Sequence, residues 1–454
     1  MDINENRLEA QDLNQQGAVL LKAGQLELAK KKFDRAIEID PMLMDSYKNY
    51  GDLYMAMEKY QEAKNLYKKA ILIEKNGLLY FLYGNACFMN DELHEGLENY
   101  NIAINEGYDS DEMMFFMGMA YEHMNDDNMA YRYFKKACVK NPSRADYIVK
   151  KITVMIRLNM IAKAKETTEE LLKIAPEMFD GYHIKTQLLL YEEKYEEAIK
   201  FSEAASERFP EDTELFFDYT KSLTLSNQLE KALSEIQIAK SMKYFEDEKR
   251  DFLNLEAQIL AEQNKTEEAI LCCNECKKLE NGEYFDGEVR FMLMNLYLSS
   301  LDYENTYKEA TDIVNNDAED LFYYAALYYK PFCKKKMGDE KEATELYKEA
   351  NSIYRLATLK NPEAVDIYLY RAMCLKDIEQ YEKSLELLDF ILGLTNKVAE
   401  VYTIKADIYQ IQGRADLVKE NMNKAYELKP ELRQNENNEE GEWGCLFKVK
   451  EIQT

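Results

Sequence analysis

Proline and glycine are scarce in this 454-residue chain, at seven and sixteen, too few for the turns of a large all-β protein. Histidine occurs three times (His94, His123, His183) and tryptophan once. No glycine-rich phosphate loop and no G-x-S-x-G elbow is present, so no catalytic centre and no cofactor is expected. Acid pairs such as Asp126-Asp127 and Glu192-Glu193 fall where turns are expected and read as solvated or capping groups. Basic residues are outnumbered, 58 to 85, for a net charge of −27. That deficit excludes nucleic acid, whose binding rests on neutralised phosphates, and an anionic membrane surface. No run approaches the length of a membrane span, and the first residues lack a basic start followed by an apolar core. A cytoplasmic protein is expected. Of eight cysteines, only Cys272, Cys273 and Cys276 cluster. The histidines lie far off in sequence, so these read as buried thiols rather than zinc ligands.

What is present is a period. Gly17, Gly51, Gly84 and Gly118 are spaced 34, 33 and 34 apart. Each is followed in step by a small residue (Ala29, Ala63, Gly96, Ala130), an aromatic (Phe33, Tyr67, Tyr100, Phe134) and an alanine (Ala36, Ala70, Ala103, Ala137). Pro41 and Pro142 close the first and fourth units. Four marks recurring in phase require a stacked array in which each unit packs on its neighbours. Glycine and alanine let two helices cross closely, and the aromatics fill the space beyond. Farther on, Ala164 and Pro176, then Tyr182, Ala198 and Pro210, then Phe216, Ala232 and Ala239 keep the phase. The small residue then steps by 37 through Ala269, Thr306 and Ala343, and by 41 to Ser384. Tyr402, Ala406, Tyr409, Gly413, Ala425 and Pro430 restore the pattern. Three-residue insertions are expected in loops, where lengthening costs little. The seven-residue one before Asn361-Pro362 is a candidate for a longer second helix.

The second unit shows the motif most fully, with Tyr47, Tyr50-Gly51, Tyr54, Ala63, Tyr67 and Ala70. It resembles the tetratricopeptide repeat. The resemblance implies an all-α, right-handed superhelical solenoid of about twelve antiparallel helix pairs. The expected organisation is a lead-in at 1–9, well-marked units at 10–244, divergent units continuous with them at 245–430, and a terminal segment at 431–454. The slip in spacing near 244–250 is where a bend is expected.

In that family the first helix of each unit lines a concave groove that takes peptides. Carried over, the groove positions here include Phe81, Asn85, Phe88, Met89, Phe115, Met119, Glu122 and His123, then His183, Gln187, Leu190, Tyr191, Phe217 and Lys221. Phenylalanine and methionine are costly to leave wet, so this strip suits peptide docking; burial between neighbouring units is the competing reading. The family's clamp for a C-terminal carboxylate is missing: Asn14, Ala18, Lys48 and Asp52 occupy its first positions, and Glu112 and Phe116 stand where basic groups belong. Of the family's asparagine ladder only Asn85 is in place.

After Pro430 a polar stretch leads to Trp443, Leu446, Phe447, Val449 and Ile452. These apolar residues either cap the last repeat, occupy a groove as an internal ligand, or stay without fixed structure. The sequence points to a non-enzymatic scaffold or adaptor that binds proteins or peptides, mildly favouring basic ones, with its oligomeric state open. The alternative is a sensor whose superhelix changes curvature when a peptide binds.

Overall fold

Helices start here with few side-chain caps and are held mainly by their buried faces. Asn76 and Ser110 are exceptions, accepting hydrogen bonds from the Leu79 and Met113 amides at 3.0 Å. The structure is a computed structural model and describes residues 3–280, 285–316, 321–395 and 397–435. The expected tail residues Trp443, Leu446, Phe447 and Val449 lie outside them. Among the described residues there are twenty-four α-helices and no strand.

In chain order these are α1 (Ile3–Lys22), α2 (Leu26–Ile39), α3 (Met44–Ala56), α4 (Tyr60–Ile73), α5 (Gly77–Met89), α6 (Leu93–Asn105), α7 (Asp111–His123) and α8 (Asp127–Lys140). Then come α9 (Ala145–Arg157), α10 (Ile161–Ile174), α11 (Phe179–Tyr191), α12 (Tyr195–Arg208), α13 (Thr213–Leu225), α14 (Leu229–Ala239), α15 (Phe245–Glu262) and α16 (Thr266–Lys277). The last are α17 (Gly287–Ser299), α18 (Tyr303–Asn316), α19 (Leu321–Lys336), α20 (Glu340–Lys360), α21 (Val365–Asp377), α22 (Tyr381–Leu394), α23 (Ala399–Ile411) and α24 (Ala415–Leu428), followed by a 3₁₀ turn, Pro430–Asn435. Contacts divide the chain into two units, residues 1–210 with 214–222, and 211–213 with 223–454. No helix of the described residues is long and apolar enough to cross a membrane.

Within unit 1 each odd-numbered helix through α11 packs on the even-numbered one after it, and each even-numbered one through α10 on the next odd one. Unit 2 repeats the scheme from α15 to α24. The periodic marks explain the closeness. A Cβ built on Gly17, Gly51, Gly84 or Gly118 would stand 2.5–2.6 Å from the ring of Phe33, Tyr67, Tyr100 or Phe134. Each ring therefore lies flat where a side chain would otherwise begin.

A further regularity lies in the turn inside each pair. A left-handed residue stands five positions before each small mark, at Gly24, Glu58, Asp91, Asn125, Asn159, Glu193, Asn227, Asn264, Leu301, Gly338, Glu379 and Gly413. At Glu58 the turn is a Schellman motif, with Lys59 N–H bonded to the Tyr54 carbonyl at 2.9 Å and Glu58 N–H to that of Met55 at 3.0 Å. Leucine is the least suited occupant, since a Cβ is disfavoured in this region by about 1–2 kcal/mol. Leu301, 62% exposed, gives up little packing on removal. Leu301→Gly is expected to stabilise unit 2 by about 0.5–1 kcal/mol, read as a higher urea midpoint.

The insertions divide between helices and loops. The seven-residue one lengthens a second helix, α20, to 21 residues where α18 has 14. Two of the three-residue insertions accompany long first helices, α15 with 18 residues and α19 with 16 against 13 in α17. The expectation that they fall in loops fails there, because a helix end grows by a turn without disturbing the crossing.

Candidate binding surface on the first helices

In unit 1 the predicted groove residues separate into two layers. Phe81 is only 3% exposed, its ring 5.1 Å from Tyr108 and 6.1 Å from Tyr100. Phe115 is half-buried and stacks on Tyr147 at 4.5 Å. These two rings tie α5 and α7 to their neighbours. Asn85 accepts a 2.8 Å bond from the Tyr100 hydroxyl, and Met119 packs beside Ala130 and Phe134. The outer layer holds Phe88, edge-on to Phe116 at 5.7 Å and to His123 at 5.5 Å. Met89 is 46% exposed and Tyr191 65%, both at the last turn of a first helix, and His123 is exposed too.

Charges flank this apolar rim, mostly already paired. Glu122 receives Lys150 at 3.0 Å and Arg157 at 2.9 Å, and Arg157 also reaches Asp127 at 2.7 Å. At the other end Lys48 is held by Asp52 at 2.7 Å, and Asp52 takes a 2.8 Å bond from the Tyr67 hydroxyl. Asn49 donates to Asn14 at 3.0 Å. A lysine so engaged offers little to a ligand carboxylate.

His183 and Gln187 on α11 converge on Asp218 of α13, a fully buried carboxylate. Nδ1 of His183 is 2.8 Å from one oxygen, Gln187 donates to the other at 2.6 Å, and Glu214 lies 3.3 Å from Nε2. Phe217 and Lys221 are half-buried on the same helix. Burial alone disfavours the imidazolium, but the bond and charge of Asp218, with Glu214 and Asp180, outweigh it and raise the His183 pKa. A group whose pKa is raised on folding contributes stability that is present below its unfolded pKa, 6.5, and lost as pH rises through the folded value. Melting temperature is therefore expected to fall as pH rises above about 6.5, and His183→Gln to flatten that slope.

In unit 2 one buried amide atom on each of two first helices has no hydrogen-bond partner among the described residues: Oδ1 of Asn254 on α15 and Nδ2 of Asn295 on α17. A buried amide atom without a partner costs about 1–3 kcal/mol.

A sequence model of the tetratricopeptide repeat matches residues 45–76, 111–138 and 399–432. These fall on the helix pairs α3–α4, α7–α8 and α23–α24, with the crossing glycine or alanine in register. These three stretches carry tetratricopeptide repeats. Among curated proteins it is 27% identical to anaphase-promoting complex subunit 3 of Schizosaccharomyces pombe over 157 residues, 33% of this chain and 23% of that one. Among solved structures the APC/C hetero-tetramer Cut9–Hcn1 aligns over 95% of this chain and 94% of its own, with 13% identity and a TM-score of 0.41. PilF of Pseudomonas aeruginosa aligns over 47% and 97%, with 17% identity and a TM-score of 0.40.

The repeat phase locates what residue type alone concealed. Asn295 precedes Thr306 by the same interval as Asn85 precedes Gly96, so Asn85 is not the only asparagine at the ladder position. Stretched spacing hid it. Asp218 gave no sequence signal, since nothing marks an aspartate beside Phe217 as the partner of a histidine 35 positions earlier. The cysteine cluster packs inside unit 2, with Cys273 and Cys276 buried; burial pushes the Cys276 thiol up to about 12. Ligand atoms of Cys87, Glu92 and Glu95 lie within 4.8 Å of one another. The ammonium of Lys64 already bonds both carboxylates, with Glu95 at 3.0 Å.

Proposed function

We propose that this tetratricopeptide-repeat protein is a non-enzymatic scaffold or adaptor. The exposed face of its first helices, which we take as the concave groove, binds an extended segment of a partner protein. The observation that carries this reading is the rim of unit 1, where Met89, His123 and Tyr191 are exposed and Phe88 is half-buried, over a sealed aromatic layer. Such side chains contribute binding free energy when a partner removes them from water, at about 25 cal/mol per Å². The net charge of −27 favours a basic partner through faster encounter. The curated relative is by name a subunit of a multiprotein complex, in keeping with a role in assembly.

Phe81 and Phe115 serve the interior, so the test belongs on the rim. Wild type and a Met89→Glu/Tyr191→Glu variant, both sites being exposed, are used to capture partners from native lysate. Each captured protein is then titrated as a purified ligand. A partner bound at least about tenfold more weakly by a still-helical variant, and more weakly at higher salt, supports the reading. Equal binding by both chains removes the rim from the function.

A further inference from the structure

Unit 2 places two arginines side by side and gives neither a carboxylate. Arg371 of α21 is half-buried, and its side-chain hydrogen bond among the described residues runs to Oδ1 of Asn351 on α20, at 3.4 Å. Arg355 is exposed and follows Asn351 by four positions, on the same line of α20. The two guanidinium groups therefore face one space. Burial and the charge of Arg355 both push the Arg371 pKa down, and no carboxylate offsets them. The contrast with other arginines is clear. Asp146 raises Arg144, Asp127 raises Arg157, and Arg290 is raised by Glu280, Glu309 and Asp312 even though burial opposes it. With 85 acidic residues in the chain, two arginines without one are a specific arrangement and not a shortage of partners.

The long second helix creates this pair. Aligned on the small-residue mark, the 14 residues of α18 match 340–353 of α20, so Arg355 and Leu359 stand in the added turns. Leu359 is 73% exposed one turn beyond Arg355. Tyr368, one turn before Arg371, packs 5.1 Å from the ring of Phe390 on α22, itself 46% exposed. We propose that Arg355 and Arg371 bind a phosphorylated side chain of a partner protein, while Leu359 and Phe390 take the apolar residues beside it. This site does not rest on the rim of unit 1. Each guanidinium presents a planar fork of N–H donors that matches phosphate oxygens. A phosphate monoester carries about −1.5 to −2 charges at pH 7 and so neutralises both arginines, where a carboxylate neutralises one. Continuous polyanions are disfavoured, because nucleic acid or an anionic membrane would meet the net charge of −27 around this single basic spot.

The melting temperature of the full-length chain is measured in chloride and in inorganic phosphate at equal ionic strength, for wild type, Arg355→Gln and Arg371→Gln. Phosphate stabilises every chain through its exclusion from protein surfaces, so the difference between chains is the readout. Wild type should gain more than either variant. In chloride Arg355→Gln should melt no lower than wild type, since it relieves the repulsion; a clear drop would make Arg355 a residue of the fold and overturn the proposal. Binding is then read by fluorescence anisotropy with a short labelled peptide carrying phosphoserine between leucines, and with its serine and glutamate counterparts. The phosphoserine peptide should bind at least about tenfold more tightly than the serine one, and lose that advantage in both variants. Equal phosphate gains in all three chains overturn the proposal, as does equal binding of the phosphoserine peptide and either counterpart. Phosphatidylserine vesicles that retain wild type but neither variant also overturn it, by placing the anion on a membrane.

Discussion

Gly118→Ala is expected to destabilise unit 1 by about 2 kcal/mol, the range of one methyl forced into a packed core, and to become stabilising once the Phe134 ring is removed. The built Cβ stands 2.6 Å from two atoms of that ring, and Phe134 is completely buried, so it has nowhere to move. Phe134→Ala alone should cost about 3–5 kcal/mol through lost burial and a cavity. In that background the new methyl enters vacated space, and alanine's better helix propensity, about 1 kcal/mol over glycine, shows through. A double-mutant cycle by urea denaturation reads the sign reversal directly. Equal cost in both backgrounds would mean that the glycine serves something other than this contact.

The second large effect is expected at Arg290. Its guanidinium, 12% exposed, reaches Glu280 at 2.6 Å and Asp312 at 2.7 Å, and lies 3.2 Å from Glu309. Glu309 is itself buried and otherwise paired only with Lys277 at 2.6 Å. Arg290→Met keeps much of the volume but takes this cation from Glu280 and Asp312 and leaves Glu309 with Lys277. Removing one partner of a buried ion pair costs about 3–5 kcal/mol. Arg290→Lys keeps the charge without the fork and should fall in between. The gap between Arg290→Met and wild type should narrow in acid, where the stranded carboxylates protonate. A loss under about 1 kcal/mol for the methionine variant would show the network to be solvated in solution.

These two sites differ in how far sequence discloses them. Gly118 and Phe134 recur in phase with three other units, and repetition turns a local packing need into a visible pattern. Arg290, Glu309 and Asp312 meet once, across two helices, and any charged residue on a helical surface looks the same in a sequence. The groove strip lies between these cases. Its aromatic character was legible, but Phe81 and Met89 share one helix, and only their neighbours decide which of them meets solvent. Left-handed turns are marked by glycine or asparagine at Gly24, Asn125, Asn159, Asn227, Asn264, Gly338 and Gly413, and hidden elsewhere for a different reason. Glu58, Leu301 and Glu379 are not residues that announce such a turn, and the stacking of the helices imposes it on them. The stretched spacing read correctly as insertion, while the choice between loop and helix depended on side chains that continue a helix, as they do throughout α20.

Substantial helix contacts within either unit reach only the following helix or the one after it. A chain wired in this way has no distant strand to unthread and no closing contact whose rupture releases the rest. Drawn from one end, such a unit yields pair by pair, each step exposing the aromatic layer of the next while the remainder keeps its packing. Mechanically it is a ratchet of small equal steps rather than a single latch. A single-molecule pulling trace across unit 1 should show a staircase whose tread is one repeat.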